Sequence, residues 1–381
     1  MTFKVKTKGQ IEGEELLVPK LRFKEFNSEY QKYKIGDTLK VKSGKDQKSI
    51  ECINGTYPIL GTGGQIGTTN SFLYDKPSVL IGRKGTINKP QYMTAPFWTV
   101  DTLFYTDIKE EFNTKYIFYA FQNINWKKYD ESTGVPSLSC KTIEEILYYI
   151  PNKDEQDKIS TFITLLDKKI ELQQRKIETL KIYKKGLVSH IFKNISSTKK
   201  LKNIVTFQNG IGYENLVDVT GNYNLISLNS ITIDGKLNKF MKKIKSDLPV
   251  STLKKNDIVI IMSDVGHGDF LGVSAIIPDD NKYVLNQRVG LLRITDNTIP
   301  QYLLYAINNL QSYFKKYGQG SSQLNLSKGD ILNVNIPYID IYSQKKLSDF
   351  FILFDKKISS ANFKLENLKS LRKSLLQQMF I

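Results

Sequence analysis

The chain has 381 residues, 40% of them hydrophobic and 24% charged, which suits two soluble domains that each have a core of their own. No run approaches the about 18 apolar residues of a membrane span, and the first residues lack the apolar stretch of a secretory signal, so we expect a cytoplasmic protein. The formal net charge of +17 favours a polyanionic partner. A lysine-rich proteome is the alternative explanation, but such a bias would also bring more than the 38 acidic residues present.

Short strands separated by glycine-rich turns are predicted in both halves of the chain. In chain order, the apolar runs predict strands at 78–81, 102–105, 257–261 and 290–293, with helices at 115–121 and 301–310. Two long helical segments follow the two sets of strands. The pattern predicts an α+β protein with two pseudo-repeated globular domains and two long helices.

The long helical segments repeat each other. The sequence Leu166-Asp-Lys-Lys-Ile170 recurs 188 residues later as Phe354-Asp-Lys-Lys-Ile358. Apolar residues recur at alternating steps of three and four in both copies, each residue 188 positions from its counterpart: Ile159, Ile163, Leu166, Ile170, Ile177, Leu180 and Leu187, then Leu347, Phe351, Phe354, Ile358, Leu365, Leu368 and Leu375. This spacing is typical of a coiled-coil seam, because about 3.5 residues per turn keeps one stripe facing a partner helix.

The two seams are predicted to pack against each other in antiparallel orientation. Each stripe runs for about five heptads, whereas a helix that covers its own domain averages about 11 residues. At 1.5 Å per residue such a helix is roughly 50–60 Å long, so the pair acts as a spacer.

The globular halves repeat more loosely. Ser132–Ser139 aligns with Gly320–Ser327, and Ile150-Pro151 answers Ile336-Pro337 before the second helix. We therefore predict a first globular domain at 1–150, a first spacer helix at 151–195, a second globular domain at 196–337 and a second spacer helix at 338–381.

We expect neither a catalytic residue nor a metal site in this chain. No cluster of ligands at metal spacing surrounds either histidine, His190 or His267, and Cys52 and Cys140 form neither a zinc motif nor a disulfide framework. No Gly-Lys pair is followed by Ser or Thr, as a phosphate-binding loop requires. The glycines of Gly61–Gly67 are better explained by a tight turn than by a dinucleotide fingerprint.

Candidate DNA-binding residues lie in predicted loops, where side chains can reach base edges and phosphates. Arg83 lies between glycines and is followed by Lys84, whereas Arg288 follows two amide side chains. For Arg83 the alternative is a turn residue paired with a surface carboxylate, and for Arg288 a half-buried residue at the start of a strand. The further candidates are Lys45, Thr62 and Gln65 in the first half and Gln208, Asn209, Tyr213, Ser263, Asp264, His267, Gln319 and Gln323 in the second.

Two dissimilar globular halves, each followed by a long helix with the same register, resemble the specificity subunit of type I restriction-modification systems. The similarity covers nearly the whole chain, and the paired architecture is more specific than any single motif. The segments similar to this family's opening, recognition-domain and helical regions are Val18–Phe26, Tyr57–Gly64, Val79–Gly85, Pro96–Thr102 and Ile150–Ile170.

One position departs from the family pattern. The family usually has Glu-Gln before the helix, and the first copy keeps Glu155-Gln156. The second copy reads Ser343-Gln344. We therefore expect the polar contact of that glutamate to be lost or replaced in the second half.

The resemblance implies a non-catalytic DNA-recognition subunit. Each half would read a few base pairs of a bipartite, asymmetric site, and the helices would fix the gap between the two parts. Two methyltransferase subunits that use S-adenosylmethionine would dock on the helices. Restriction subunits that use ATP and magnesium would join them, and this chain would bind no cofactor itself.

Two alternatives belong to other functional classes. A stand-alone bipartite DNA-binding regulator would bind its site without methyltransferase partners, and the family resemblance argues against it. A nuclease fused to a recognition region would cleave DNA by itself in the presence of metal, and the absent catalytic motifs argue against that.

Overall fold

The structure is a computed structural model that describes residues 3–5, 18–94, 96–245, 250–265 and 268–381. The first half contains β1 (Phe3–Val5), β2 (Leu21–Phe23), β3 (Gln31–Lys34), α1 (Ile35–Thr38), β4 (Leu39–Lys42), β5 (Tyr57–Gly61), β6 (Gly64–Thr69), β7 (Ser78–Gly82), β8 (Gln91–Met93), β9 (Trp98–Thr99), β10 (Leu103–Ile108), α2 (Thr114–Phe121), α3 (Cys140–Glu145) and β11 (Leu147–Ile150). The first long helix is α4 (Lys153–Lys193).

The second half contains β12 (Thr198–Lys200), β13 (Val205–Asn209), β14 (Tyr223–Ile226), β15 (Lys243–Ile244), β16 (Ile258–Ile261), β17 (Ser263–Val265), β18 (Ser274–Ile276), β19 (Tyr283–Leu285), β20 (Val289–Ile294), α5 (Pro300–Asn308), α6 (Gln311–Tyr317), β21 (Gln323–Asn325), α7 (Lys328–Leu332) and β22 (Asn335–Pro337). The second long helix is α8 (Ile341–Met379). Short 3-10 helices lie at Trp126–Tyr129, Leu201–Asn203, Glu214–Leu216 and Leu228–Ser230. The strands and helices predicted from the sequence are present, with ends shifted by a few residues.

The chain forms two compact units. The first unit comprises residues 1–175 and 363–381, and the second comprises residues 176–362. Each unit therefore contains one globular part together with a segment of α4 and a segment of α8.

The two globular parts share one sheet topology. In the first unit a four-stranded sheet has the order β4-β10-β7-β8, and in the second the order β13-β20-β16-β18 repeats it strand for strand. A three-stranded sheet with one parallel pair also occurs in each unit, as β6-β5-β9 and β15-β14-β19. The β3–β11 pair of the first unit is matched by β12–β22 in the second. This correspondence confirms the pseudo-repeat.

The core of each unit includes side chains from both long helices. In the first unit Ile159, Ile163 and Leu166 of α4 and Leu375 and Met379 of α8 belong to one buried cluster with the strands and α2. In the second unit the equivalent cluster includes Val188, Phe192 and Phe351. All the seam residues predicted above are buried or half-buried.

Within each unit the helix segments run antiparallel, as predicted. In the first unit Tyr30 Oη lies 3.4 Å from both Glu155 Oε1 and the Met379 carbonyl, whereas Arg372 pairs with Asp167 further along α4. In the second unit Lys184 Nζ lies 2.7 Å from Asp355 Oδ1. The ring of Phe192 packs on that of Phe351, which lies before Asp355 in α8.

A polar cluster joins each globular part to both helices. In the first unit Asp167 accepts hydrogen bonds from Arg372 and from Tyr119 Oη, the latter at 3.0 Å. In the second unit Asp355 accepts equivalent bonds from Lys184 and from Tyr305 Oη, at 2.7 and 2.5 Å. The positions that interrupt the apolar stripes, Lys184 and Arg372, are therefore equivalent cations.

The glutamines of the family pattern anchor both helices alike. Gln156 Oε1 accepts a bond from the Asn113 amide at 2.9 Å, and Gln344 Oε1 accepts one from the Ile299 amide at 3.0 Å. The amide groups of both glutamine side chains donate to backbone carbonyls just before their helices. The glutamine contact is thus retained in the second copy.

The glutamate contact has no counterpart. Glu155 is fully buried and receives two hydrogen bonds from Arg22, Nε to Oε1 at 2.8 Å and Nη2 to Oε2 at 2.6 Å. Burial lowers the pKa of the Arg22 guanidinium, but the hydrogen bond and charge of Glu155 raise it on balance above its ordinary value. At the equivalent position the Ser343 amide donates to Asp340 Oδ1 at 3.0 Å, so the ion pair is lost there.

Replacing Glu155 with alanine is expected to lower the free energy of unfolding of the first unit by about 3–5 kcal/mol, because Arg22 is then left buried without its partner. The chain's two tryptophans, Trp98 and Trp126, both lie in this unit, so urea unfolding followed by tryptophan fluorescence measures it selectively. Glu145→Ala, which removes an exposed ion pair with Lys34 in the same unit, is the matched control and should change stability by less than about 1 kcal/mol. Equal effects of the two substitutions would contradict this role of the ion pair.

Candidate nucleic-acid interface

In the first unit, three candidate loops converge on the segment 98–102. The Lys45 amide donates to the Thr99 carbonyl at 2.9 Å, and the Arg83 amide donates to the Thr102 carbonyl at 2.8 Å. The Val100 amide donates to Leu60, next to the turn between β5 and β6. The motif Pro96–Thr102 is thus the support on which these loops are fixed.

The approach at Lys45 requires glycine before it. A Cβ atom on Gly44 would lie 2.0 Å from the Val100 carbonyl oxygen, so any side chain there would push the loop off the segment. In the Arg83 turn, Gly85 has a φ of +84°, a conformation that disfavours other residues. The glycines around the candidate residues therefore serve the backbone geometry of the loops.

The first unit presents a mixture of exposed and half-buried candidates. Lys45, Gln65 and Lys84 are exposed, whereas Thr62 and Arg83 are half-buried. Arg83 Nη1 donates to the Asp101 carbonyl at 3.3 Å, which leaves its other donors available. Gln65 Nε2 donates to Gly67 at 3.3 Å within the β5–β6 hairpin, so Gly61–Gly67 forms a tight turn, as predicted.

The second unit repeats the arrangement. The Ile211 amide donates to the Leu285 carbonyl at 3.1 Å, and the Met262 amide donates to the Arg288 carbonyl at 3.0 Å. A Cβ atom on Gly210 would lie 1.9 Å from the Asn286 carbonyl oxygen, as at Gly44. The ends of β13, β16 and β19 therefore meet at one place, which carries Gln208, Asn209, Ser263 and Arg288.

The pairing of β17 with β21 adds Gln319 and Gln323 to the same region, because Val265 pairs with Gln323 and Gln319 bridges to Asn325. Gln208, Asn209, Arg288 and Gln319 are exposed, and Ser263 and Gln323 are half-buried. Arg288 is more accessible than a strand residue, because it lies in the turn that precedes β20. The contact of each with DNA stays a prediction.

Two candidates are unsuited to direct contact with DNA. Tyr213 is 5% exposed and packs with Leu225, Ile244 and Val284, and burial raises the pKa of its hydroxyl. Asp264 is 6% exposed, and its carboxylate accepts a hydrogen bond from the Phe270 amide at 3.0 Å. Both therefore contribute to the structure of the second unit. His267 lies outside the described residues.

Sequence reasoning did not single out Glu214 and Asn286. Together with Arg288 they line a cavity of about 410 Å³ at the ends of the parallel strands β14 and β19. In the sequence, Asn286 was noted only as one of the two amide side chains that precede Arg288. Glu214 is 74 positions away from Arg288 and carries no motif, so nothing in the sequence connected the two residues.

None of the helices in the described ranges is both long and apolar enough to cross a membrane.

The fold defines a protein with two copies of one α+β domain, each followed by a long helix that packs antiparallel within the compact units. The family model for the type I restriction modification DNA specificity domain matches residues 27–182 and again residues 196–370. The chain therefore belongs to the family of type I restriction-modification DNA specificity domains.

Individual relatives agree with this assignment. The type I restriction enzyme MjaVIII specificity subunit of Methanocaldococcus jannaschii is 22% identical over 290 residues, which are 68% of each chain. The solved S subunit of the type I system of M. genitalium covers 96% of this chain and 99% of its own, with 19% identity and a TM-score of 0.61. A chain from a structure of complex assembly and conformational transition in a type I R-M system has 11% identity and the same TM-score, covering 92% and 97%. At these identities the structural matches establish the fold alone.

Proposed function

We propose that the chain is the non-catalytic DNA-reading subunit of its system, and that its two globular parts read the two halves of a bipartite, asymmetric site. The observation that supports this proposal is that the two units share one sheet framework but carry different side chains on their loops. The sheets of the two units repeat strand for strand, whereas the loops at the equivalent edge carry Lys45, Arg83 and Lys84 in one unit and Asn209 and Arg288 in the other. The same scaffold with different readers fits two different half-sites.

The test of this function is sequencing of DNA methylation in a host with and without the gene, together with its partner subunits. A split, asymmetric motif that depends on the gene is the expected result. A gene-dependent motif that is continuous or palindromic would contradict the bipartite assignment. Specific binding by the chain alone, with no dependent methylation, would favour the regulator instead.

We further propose that the long helices carry two docking sites for methyltransferase subunits. Leu165 and Leu353, which are 188 residues apart, are 57% and 62% exposed. Leu371, next to the Arg372 that pairs with Asp167, is 49% exposed in the first unit, and Tyr183, whose ring packs on Phe354, is 60% exposed in the second. Repeated apolar positions of this kind fit two copies of one partner. Restriction subunits would join this complex, and S-adenosylmethionine, ATP and magnesium would be held by the partners.

Replacing either leucine with glutamate is expected to reduce the methyltransferase stoichiometry from two to one, because a charge at the centre of an apolar contact costs several kcal/mol. The double variant Leu165→Glu/Leu353→Glu should bind none. Mass photometry of the reconstituted complex measures the stoichiometry. Ile233→Glu, at a position that is 57% exposed in the globular part, is the control and should retain two subunits. Full assembly by the double variant would exclude these positions from the interface.

A further inference from the structure

Arginine is used sparingly in this chain, which has six arginines and 49 lysines. Four of the six arginines form ion pairs with carboxylates: Arg22 with Glu155, Arg175 with Glu171, Arg293 with Asp257 and Arg372 with Asp167. In three of these pairs, Nε and Nη2 of the arginine bind the two carboxylate oxygens separately. Arginine thus occurs mostly where a planar fork binds two acceptors, which lysine cannot do.

The remaining arginines, Arg83 and Arg288, have no carboxylate partner in the part of the chain that the structure describes. Arg288 is exposed, and Arg83 makes one bond to a backbone carbonyl at 3.3 Å. Each therefore has a free pair of donors. A simple requirement for positive charge would be met by lysine, as it is at Lys45 and Lys84.

The two arginines lie on opposite sides of one backbone hydrogen bond that both units share. The strand pair β7–β10 of the first unit corresponds to β16–β20 of the second. At the end of β7 the Arg83 amide donates to the Thr102 carbonyl, and at the end of β16 the Met262 amide donates to the Arg288 carbonyl. These are the same hydrogen bond of the shared framework. Arg83 occupies the donor side of this bond, whereas Arg288 occupies the acceptor side.

Both backbones are held firmly at this point. The Arg83 carbonyl accepts a bond from the Leu138 amide at 2.9 Å, and a Cβ atom on Gly82 would lie 2.2 Å from the Thr86 carbonyl oxygen. Next to Arg288, the Asn286 amide donates to Ile226 at 2.9 Å. A side chain on a fixed backbone can be aimed at one base edge, because little freedom remains to be lost on binding.

We propose that Arg83 and Arg288 each read a guanine, Arg83 in the half-site of the first unit and Arg288 in that of the second. This inference rests on the proposed function. The O6 and N7 atoms of guanine present two adjacent acceptors in the major groove, which match the guanidinium fork. The exposed neighbour of Arg83, Lys84, contacts phosphate and so supplies the sequence-independent part of binding. Because the two arginines extend from opposite strands of the matched strand pairs, the two guanines need not occupy the same base-pair position in their half-sites.

The test uses the methyltransferase complex and a duplex that carries its methylated motif. Arg83→Ala and Arg288→Ala remove all the guanidinium donors, and each is expected to lose roughly 5- to 150-fold of the discrimination at one G·C pair of its own half-site. Replacing that guanine with 7-deazaguanine removes the N7 acceptor. It should weaken binding by the wild-type complex and have no further effect on the corresponding alanine variant.

Lys84→Ala is the matched control for charge. It should weaken binding to specific and random duplexes equally and reduce the salt slope by about one. Full discrimination by both alanine variants would mean that the arginines do not read a base, and would overturn the inference. A methylated motif without a G·C pair in one half-site would also overturn it and leave the proposed function intact. Absence of any gene-dependent motif would overturn both.

Discussion

Exchanging residues 196–337 for the second globular part of another family member is expected to change one half-site of the methylated motif and to leave the other half-site and the spacer unchanged. The exchanged segment contains all the strands of the second unit, from β12 to β22, and every candidate reader of that unit. The first unit has sheets and a buried core of its own. The readers of the first half-site are therefore untouched by the exchange.

The design of the graft follows from the contacts at the helices. Val188, Phe192 and Phe351 belong to the same buried cluster as α5, so the donor has to present an apolar surface of similar size to them. Two polar contacts should be kept as well, the bond from the Ile299 amide to Gln344 and the bond from Tyr305 to Asp355. A donor with tyrosine at the position of Tyr305 satisfies the second requirement, and an amide before α5 is provided by any residue except proline.

Methylation sequencing measures the outcome, and the reciprocal exchange of residues 27–150 is the control. That variant should change the other half-site alone. If either exchange altered both half-sites, base reading would not be divided between the two globular parts. Loss of all methylation together with intact assembly would point to a graft that no longer folds, and circular dichroism of the purified complex distinguishes this case.

The sequence predicted best those features that repeat along the chain. The seam residues of α4 and α8 follow one period over many turns, so their burial and antiparallel pairing could be inferred without any structure. Strands such as β7 and β16 are continuous apolar runs, and their identity was equally clear. Local patterns thus specify the framework, because period and apolar content act within each element.

The candidate DNA-binding residues were harder to predict, because burial in a loop depends on contacts with distant residues. Tyr213 follows a glycine-rich turn and looks accessible in the sequence, but it packs beneath the sheet on Val284. Asp264 resembles a surface acid, yet its carboxylate is used to hold the Phe270 amide. For Arg288 the alternative interpretation, a half-buried residue at the start of a strand, is wrong, because the turn before β20 leaves it exposed. Arg83 and Arg288 lie on the two sides of one backbone hydrogen bond that both units share, and no spacing in the sequence indicates this relation.

Lengthening both long helices by four residues is expected to widen the unspecified spacer of the motif by about two base pairs. The insertions go after Arg175 in α4 and after Asn362 in α8, where each helix passes from one compact unit into the other. Four helical residues add about 6 Å, which is close to the rise of two base pairs. Both helices must be extended, because a single insertion would leave the added turn without an antiparallel partner and shift the seam out of register.

The rotation that accompanies each insertion makes the experiment sharper. Four residues turn an α-helix by about 40° beyond a full turn, and two base pairs turn DNA by about 70° in the same sense. A heptad inserted at the same two points preserves the seam better and adds about 10 Å, close to the rise of three base pairs. It turns each helix by about −20°, however, whereas three base pairs turn DNA by about 100°. The four-residue variant should therefore methylate a motif with a wider spacer and unchanged half-sites. The heptad variant should assemble normally and methylate poorly at any spacer. Methylation sequencing and mass photometry of both variants check this, and an unchanged spacer in the four-residue variant would show that the helices do not set the distance.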